Sequence, residues 1–264
     1  MNSQTETVLL KSENTDGVVT LTLNRPGQFN SLSDELLGSL QSEFDLLAED
    51  PSVRVIVLAA NGRAFCAGHD LKQMRAHPDE AYYRDLFARC GQLMQTIMRQ
   101  PQPVIARVHG VATAAGCQLV ASCDLAVASD NARFAVSGIN VGLFCSTPSV
   151  ALARNVGRKR ALEMLLTGEF ISAEQAAAEG LINRAVPADR LDRAVGELCG
   201  SICAKSAMAV RTGKEMFYRQ LEMGVSDAYG YASGVMACNM MHGDAAEGID
   251  AFMQKRPPVW GRSD

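Results

Sequence analysis

Residues 63–73, Arg-Ala-Phe-Cys-Ala-Gly-His-Asp-Leu-Lys-Gln, form one of two stretches of this chain equipped for chemistry. The other is residues 109–124, His-Gly-Val-Ala-Thr-Ala-Ala-Gly-Cys-Gln-Leu-Val-Ala-Ser-Cys-Asp. Each follows an apolar run that reads as a buried strand, and the second comes about forty residues after the first. Gly68 and Gly116 permit sharp turns and close approach of the backbone to a ligand. Backbone N–H groups in such turns can hold a developing negative charge, each well-aimed donor contributing roughly 3–4 kcal/mol. In the second stretch the donor sits where a helix begins, and the helix dipole acts in the same sense. Taken singly, a glycine between strand and helix is a turn. Two of them after successive buried strands are a more specific signal.

The ionisable side chains of these stretches have ordinary roles open to them. Asp70 is placed to cap the helix that follows it. Asp124 suits an ion pair or a turn, and His109, before Gly110, suits a turn. The side chain of His69 is a candidate imidazole. Cys117 and Cys145 are thiols for which the sequence supplies no dedicated base or cation to lower the pKa.

The elements that must position these residues alternate. Val18–Leu23 pairs with Val8–Leu10 as a hairpin, with turn chemistry at Asn14–Gly17. Ser33 caps a helix whose apolar face is Leu36, Leu37, Leu40, Phe44 and Leu47, and Asp50-Pro51 ends it. Val53 to Ala59 is apolar throughout, as in a strand buried on both faces. A helix follows over 80–99, then strands at Val104–Val108 and Leu125–Ala128 around a short helix near 115–123. Pro148 suits a helix first turn. Ser172 and Gln175 form a capping-box pattern with Gly180 past the helix end, and Leu181–Val186 reads as a last strand. Beyond about 188 only helical patterns remain, over 188–203, 206–223 and 227–254, closed by Pro257-Pro258. Strand–helix alternation implies an α/β architecture.

The bulk properties exclude several classes. The chain of 264 residues holds one large domain, or a domain with an appendage. A net charge of −4 offers no basic footprint for nucleic acid. No apolar run approaches the roughly 18 residues of a membrane span. The eight cysteines contain no Cys-x-x-Cys pair and no zinc-finger spacing, which predicts a reduced set of core thiols, no metal and a cytoplasmic protein. Met1–Leu10 carries Glu6 and no basic residue, unlike a secretory signal or a transit peptide.

The two glycine-bearing stretches resemble the paired oxyanion-hole segments of the crotonase (enoyl-CoA hydratase/isomerase) superfamily. The resemblance runs in order along almost the whole chain. Leu23-Asn24-Arg25-Pro26 with Asn30-Ser31-Leu32 is similar to the family's opening motif. Thr167-Gly168 and Ile171-Ser172-Ala173, with Ala177, Gly180 and Leu181, are similar to a later segment, and Gly248-Ile249-Asp250-Ala251-Phe252 with Lys255-Arg256 to its C-terminus. Asn140–Pro148 and Lys255–Trp260 point to one branch within it.

The resemblance implies a spiral α/β core, a ββα superhelix, over about 1–200. It implies a helical trimerisation segment over about 201–264. The oxyanion donors become the N–H groups of His69 and Ala115. The substrate is an acyl-CoA thioester, with coenzyme A as part of the substrate and no other cofactor. Substrate contacts fall to His69, Asp70, Leu71, Lys72, Ala115, Gly116, Cys145 and Ser146, with Phe252 and Lys255 reaching an adjoining subunit of a trimer or dimer of trimers. The chain departs from the pattern where hydration needs acids. Gln118 and Gly138 occupy the positions of the two catalytic glutamates. Gln118 can orient water but cannot act as a base near neutral pH, and Gly138 can do neither. Ser146 leaves a third acidic position of the family vacant. The family's usual Gly-Gly-Gly is Ala114-Ala115-Gly116, whose two methyl groups narrow the approach. Expected, therefore, is thioester binding with weak or absent hydratase activity. The alternatives are a non-catalytic acyl-CoA binder and a decarboxylase of a malonyl-type thioester.

Overall fold

The computed structural model describes residues 7–261. In chain order its strands are β1 (Leu9–Glu13), β2 (Val18–Leu23), β3 (Val55–Ala60), β4 (Ala64–Cys66), β5 (Val104–Val108), β6 (Val111–Thr113), β7 (Leu125–Ser129), β8 (Arg133–Ala135), β9 (Ile171–Ser172) and β10 (Arg184–Val186). The helices are α1 (Asp34–Ala48), α2 (Leu71–Ala76), α3 (Glu80–Arg99), α4 (Ala115–Ser122), α5 (Ser146–Asn155), α6 (Arg158–Thr167), α7 (Ala173–Ala178), α8 (Leu191–Cys203), α9 (Ala207–Gln220), α10 (Val225–Met240) and α11 (Gly243–Met253).

Two sheets run through the core. The larger has the order β1-β2-β3-β5-β7-β10 and the smaller β4-β6-β8-β9. β1 and β2 pair antiparallel, Leu9 opposite Leu23, while β2, β3, β5, β7 and β10 are parallel neighbours. The chain advances by a repeated step: a strand in the large sheet, a short strand in the small sheet, then a helix. β3-β4, β5-β6 and β7-β8 each make one such turn, giving the spiral of ββα units. Every residue of β3 is buried, as its unbroken apolar run requires.

The caps read from sequence are in place. The Ser33 side chain accepts from Leu36 N–H, and the five apolar residues of α1 are all buried. Ser172 and Gln175 form a complete capping box. Asn14 Oδ1 accepts from both Asp16 and Val18 N–H in the hairpin turn.

Three readings change. The last strand begins at Arg184 rather than Leu181, because the N–H groups of Leu181 and Ile182 turn back to the Ala176 carbonyl and close α7. The single helix read over 227–254 is two, since His242 accepts from Asp244 N–H and starts α11. The strands of the small sheet, two or three residues long, went unread: so short a run shows no periodicity. Of the N-terminal stretch read for targeting signals, residues 1–6 lie outside the described residues.

Candidate functional site

The first stretch is held by the opening motif. Asn30, fully buried in the left-handed region (φ 54°), accepts from Arg25 N–H and donates to the carbonyls of Asn61 and Ala64. Leu32 then pairs with the turn: its N–H donates to the Gly68 carbonyl at 2.8 Å, and its carbonyl accepts from Asp70 N–H at 3.1 Å. That parallel bridge spends Gly68 and Asp70 on Leu32 and turns the N–H of His69 to the opposite side. Asp70 caps α2, accepting from the N–H groups of Lys72 and Gln73, and pairs with Arg25 at 3.0 Å. The Arg25 guanidinium and these N–H groups hold the Asp70 carboxyl below the usual range against the opposing effect of burial. Arg25 is a positioning residue that side-chain chemistry alone did not single out. Its place in the opening motif was the available signal.

The second stretch packs against the first at Gly68. A Cβ built on Gly68 (φ 91°) would lie 2.9 Å from the Ala114 methyl and 3.2 Å from the Ala115 nitrogen. One on Gly116 would lie 2.1 Å from the Cys66 carbonyl oxygen. The two turns interlock so closely that glycine is required on each side. Ala115 is the first residue of α4, and the N–H of such a residue has no partner within its helix. Ala114, at φ 50° and ψ −121°, keeps a backbone conformation that glycine adopts freely and alanine does not, at about 1–3 kcal/mol. The Ala115 methyl is packed in the core and the Ala114 methyl lies beside Gly68.

Gln118 and Gly138, the positions that the resemblance assigns to the two acids, differ from each other. Gln118 lies one turn along α4 from Ala115 and is buried, and its Oε1 has no hydrogen-bond partner. Gly138 sits in a 3-10 turn, Ser137–Val141, over which the following loop folds back. Leu143 N–H donates to the Gly138 carbonyl, and Gly138 N–H donates to Cys145 Sγ at 3.3 Å. A Cβ at 138 would lie 2.5 Å from the Leu143 carbonyl oxygen and 2.8 Å from Cys145 Sγ. The space a side chain would use is already filled. Ser146, at the start of α5, is exposed.

The remaining candidates divide. The two ring nitrogens of His69 are sealed from solvent without a partner, and the ring stands edge-on to Phe87 at 5.4 Å. Burial pushes its pKa down to about 4, so the imidazole is neutral at pH 7. Burial pushes the Cys117 thiol up to about 12 and raises that of Cys145, which rules out a ready thiolate at either. His109 Nε2 contacts the Gly62 carbonyl, a turn role.

Asp124 accepts from Val104 N–H, Lys214 Nζ and the Tyr218 hydroxyl, the last two at 2.6 and 2.8 Å. Burial raises the Asp124 pKa, and these donors oppose it. Lys214 also donates to the carbonyls of Ile97 and Gln102, fixing α9 to the core. Nothing in the sequence pattern marked Lys214 or Tyr218, because both belong to a helix ninety or more residues away. Leu71 and Lys72 are exposed on α2. Phe252 is 85% exposed and Lys255 is exposed, and no hydrogen bond or ion pair among the described residues joins them to His69 or Ala115.

Residues 13–263 match the enoyl-CoA hydratase/isomerase family. The chain is 49% identical to the enoyl-CoA hydratase domain-containing protein 3 of Xenopus laevis, over 94% of this chain and 84% of that one. This is the branch to which residues 140–148 and 255–260 point. A crystal structure of an enoyl-CoA hydratase from Mycobacterium smegmatis superposes with a TM-score of 0.95 at 60% identity, covering 96% of this chain and 98% of the other. The human enoyl-CoA hydratase domain-containing protein 3 superposes at 0.93 with 46% identity, covering 96% and 100%. The Xenopus laevis relative and its mammalian counterparts are labelled mitochondrial, which overturns the expectation of a cytoplasmic protein. Of the eight cysteines read as core thiols, six are buried, Cys203 is half-buried and Cys238 is exposed, and unpaired thiols do not specify a compartment.

Proposed function

We propose that this chain, which belongs to the enoyl-CoA hydratase/isomerase family, binds an acyl-CoA thioester and polarises its carbonyl between the N–H groups of His69 and Ala115. The observation behind this reading is the interlock of the two turns: the bridge to Leu32 turns the His69 N–H away from Leu32, and the adjoining Gly68 packs against Ala114 and the Ala115 nitrogen. Two donors fixed by backbone packing need no reorganisation as charge develops on the thioester oxygen. The thioester lies along Asp70, Leu71, Lys72 and Gly116, with Cys145 and Ser146 facing its acyl part.

Hydration needs a base for water and an acid for the α-carbon. Gln118 supplies neither, and Gly138 has no room for either. Enolate stabilisation remains. Decarboxylation of a malonyl-type thioester requires mainly that: the bond from Cα to the carboxylate breaks, carbon dioxide leaves, and its electron pair passes into the enolate held by the two N–H groups. Water then returns a proton to Cα. A second reading, a non-catalytic acyl-CoA binder, draws on the same feature, the closure of the Gly138 side-chain space by Leu143 and Cys145. Assembly as a trimer or dimer of trimers, through a segment over about 201–264, accords with exposed Met236, Met240, Met241 and Phe252 on and beside the last two helices. That segment would bring Phe252 and Lys255 to a neighbouring core of about 1–200.

A turnover screen tests the reading. Methylmalonyl-CoA is decarboxylated and crotonyl-CoA is hydrated little, while both raise the melting temperature as ligands of the folded state do. Binding without turnover selects the non-catalytic reading. Free acids that raise the melting temperature as much as their CoA esters would sink both.

A further inference from the structure

A cavity of about 900 Å³ lies beside α4, between α3, α5 and α9. Gln118, with its unpartnered buried Oε1, and Ser122 line it along α4. From Ala115 to Ser122 the helix advances about 10 Å. Met94, Met98 and Val150 make apolar walls. Ala115, Gln118 and Ser122 recur at helical spacing on one face of α4, so an acyl chain that follows this face from a thioester at Ala115 leads toward this space.

The cavity is unusual in its charge. Arg99, Arg154, Arg211 and Arg219 line it against two glutamates, Glu215 and Glu222. Lys214 adds nothing to the excess, being committed to Asp124. Arg154 donates to the Val150 carbonyl at 3.1 Å and meets Glu222 only at 3.7 Å, and the Arg211 side chain has no hydrogen bond or ion pair among the described residues. An apolar channel bordered by surplus guanidinium groups fits a chain that is apolar along its length and anionic at its end.

We propose that the cavity receives an acyl chain ending in a carboxylate, so that the substrate class is the CoA monothioester of a dicarboxylic acid. Arg154 and Arg211 receive the terminal carboxylate. The inference rests on the acyl-CoA binding part of the reading above and concerns the far end of the acyl chain, not the carboxylate on Cα that decarboxylation would remove.

Calorimetric titration with suberoyl-CoA, octanoyl-CoA and free CoA tests it, since the two esters differ only at the far end of the chain. Suberoyl-CoA is expected to bind at least about fivefold tighter at low salt, the scale of one or two partly exposed ion pairs. Added salt should erode the advantage. The ratio of the two affinities should fall toward one in Arg154→Met/Arg211→Met and persist in Arg154→Lys/Arg211→Lys. Equal affinities in the unmodified protein, or a ratio unchanged in the methionine variant, overturn the inference while leaving the acyl-CoA reading intact. So does a loss of free CoA affinity in that variant as large as the loss for suberoyl-CoA, which would assign the arginines to the nucleotide phosphates. Failure of both esters to bind removes the acyl-CoA reading and this inference with it.

Discussion

The two pairs of positions that the family resemblance singles out for thioester chemistry are built oppositely. At His69 and Ala115 the backbone is over-determined. Leu32, Arg25 and Asn30 brace one turn, and Gly68 and Gly116 let the second turn lock against it at distances no other residue allows. At Gln118 and Gly138 the side chains that would move protons are missing, and at 138 the vacancy has been closed by Leu143 and Cys145. Donor geometry is thus a property of interlocking backbone. Acid/base geometry depended on side chains, and its loss at 138 extends to the loop around it.

The sharpest way to break this contrast is to restore the acids. The pair of proton transfers is worth at least about 10⁴-fold, roughly 10² for each group. Gln118→Glu/Gly138→Glu should recover almost none of it in a crotonyl-CoA hydration assay, because the glutamate at 138 meets the Leu143 carbonyl and Cys145 Sγ. A gain of 10² or more over the Gln118→Glu single variant would mean that the loop yields. Position 138 would then be merely unoccupied.

The braced side is probed by Gly116→Ala. Its methyl group would be driven onto the Cys66 carbonyl, and urea denaturation should show a loss of about 3 kcal/mol or more. Gly196→Ala in α8, where the added carbon meets nothing, serves as the control and should be neutral or stabilising. Similar losses at both positions would refute the interlock.

A smaller effect comes from His69. Its pKa is pushed down by burial from 6.5 to about 4, so the unfolded chain takes up a proton below pH 6.5 that the folded protein refuses. Stability from this group is complete above about pH 6.5 and drains away down to about pH 4, amounting to about 2 kcal/mol by pH 5. The drop between pH 7 and pH 5 should therefore be smaller in His69→Gln than in the unmodified protein. Equal drops would mean that the imidazole is not sealed.

Least in size is Ala114→Gly. Relief of the backbone strain, offset by the greater freedom of glycine in the unfolded chain, should stabilise by about 1 kcal/mol. If affinity for an acyl-CoA stays the same or improves, the Ala114 methyl is no part of the binding site. A clear loss of affinity would assign it a role in shaping the approach.

Much of this is legible in the sequence. The cap at Ser33, the capping box at Ser172 and the cap at Asp70 each follow from a few adjacent residues and are where local chemistry places them, while the buried strand read over 53–59 is shifted to Val55–Ala60. The small-sheet strands were not legible, because two or three residues carry no period. Nor was the break at His242, where one side-chain hydrogen bond ends a helical pattern that otherwise continues.

The sequence by itself determined which chemical groups are present: two glycine-bearing turns, amide and hydrogen at the two acid positions, and a run of motifs that specifies the family. These are properties of residue type and order. Only the tertiary structure decided that Gly68 and Gly116 face each other's backbones, that Lys214 and Tyr218 secure Asp124, and that the space at Gly138 is shut. Each of those outcomes depends on contacts between segments far apart in the chain. Their distances are set by how the two sheets and α9 pack, which no local pattern of residues encodes.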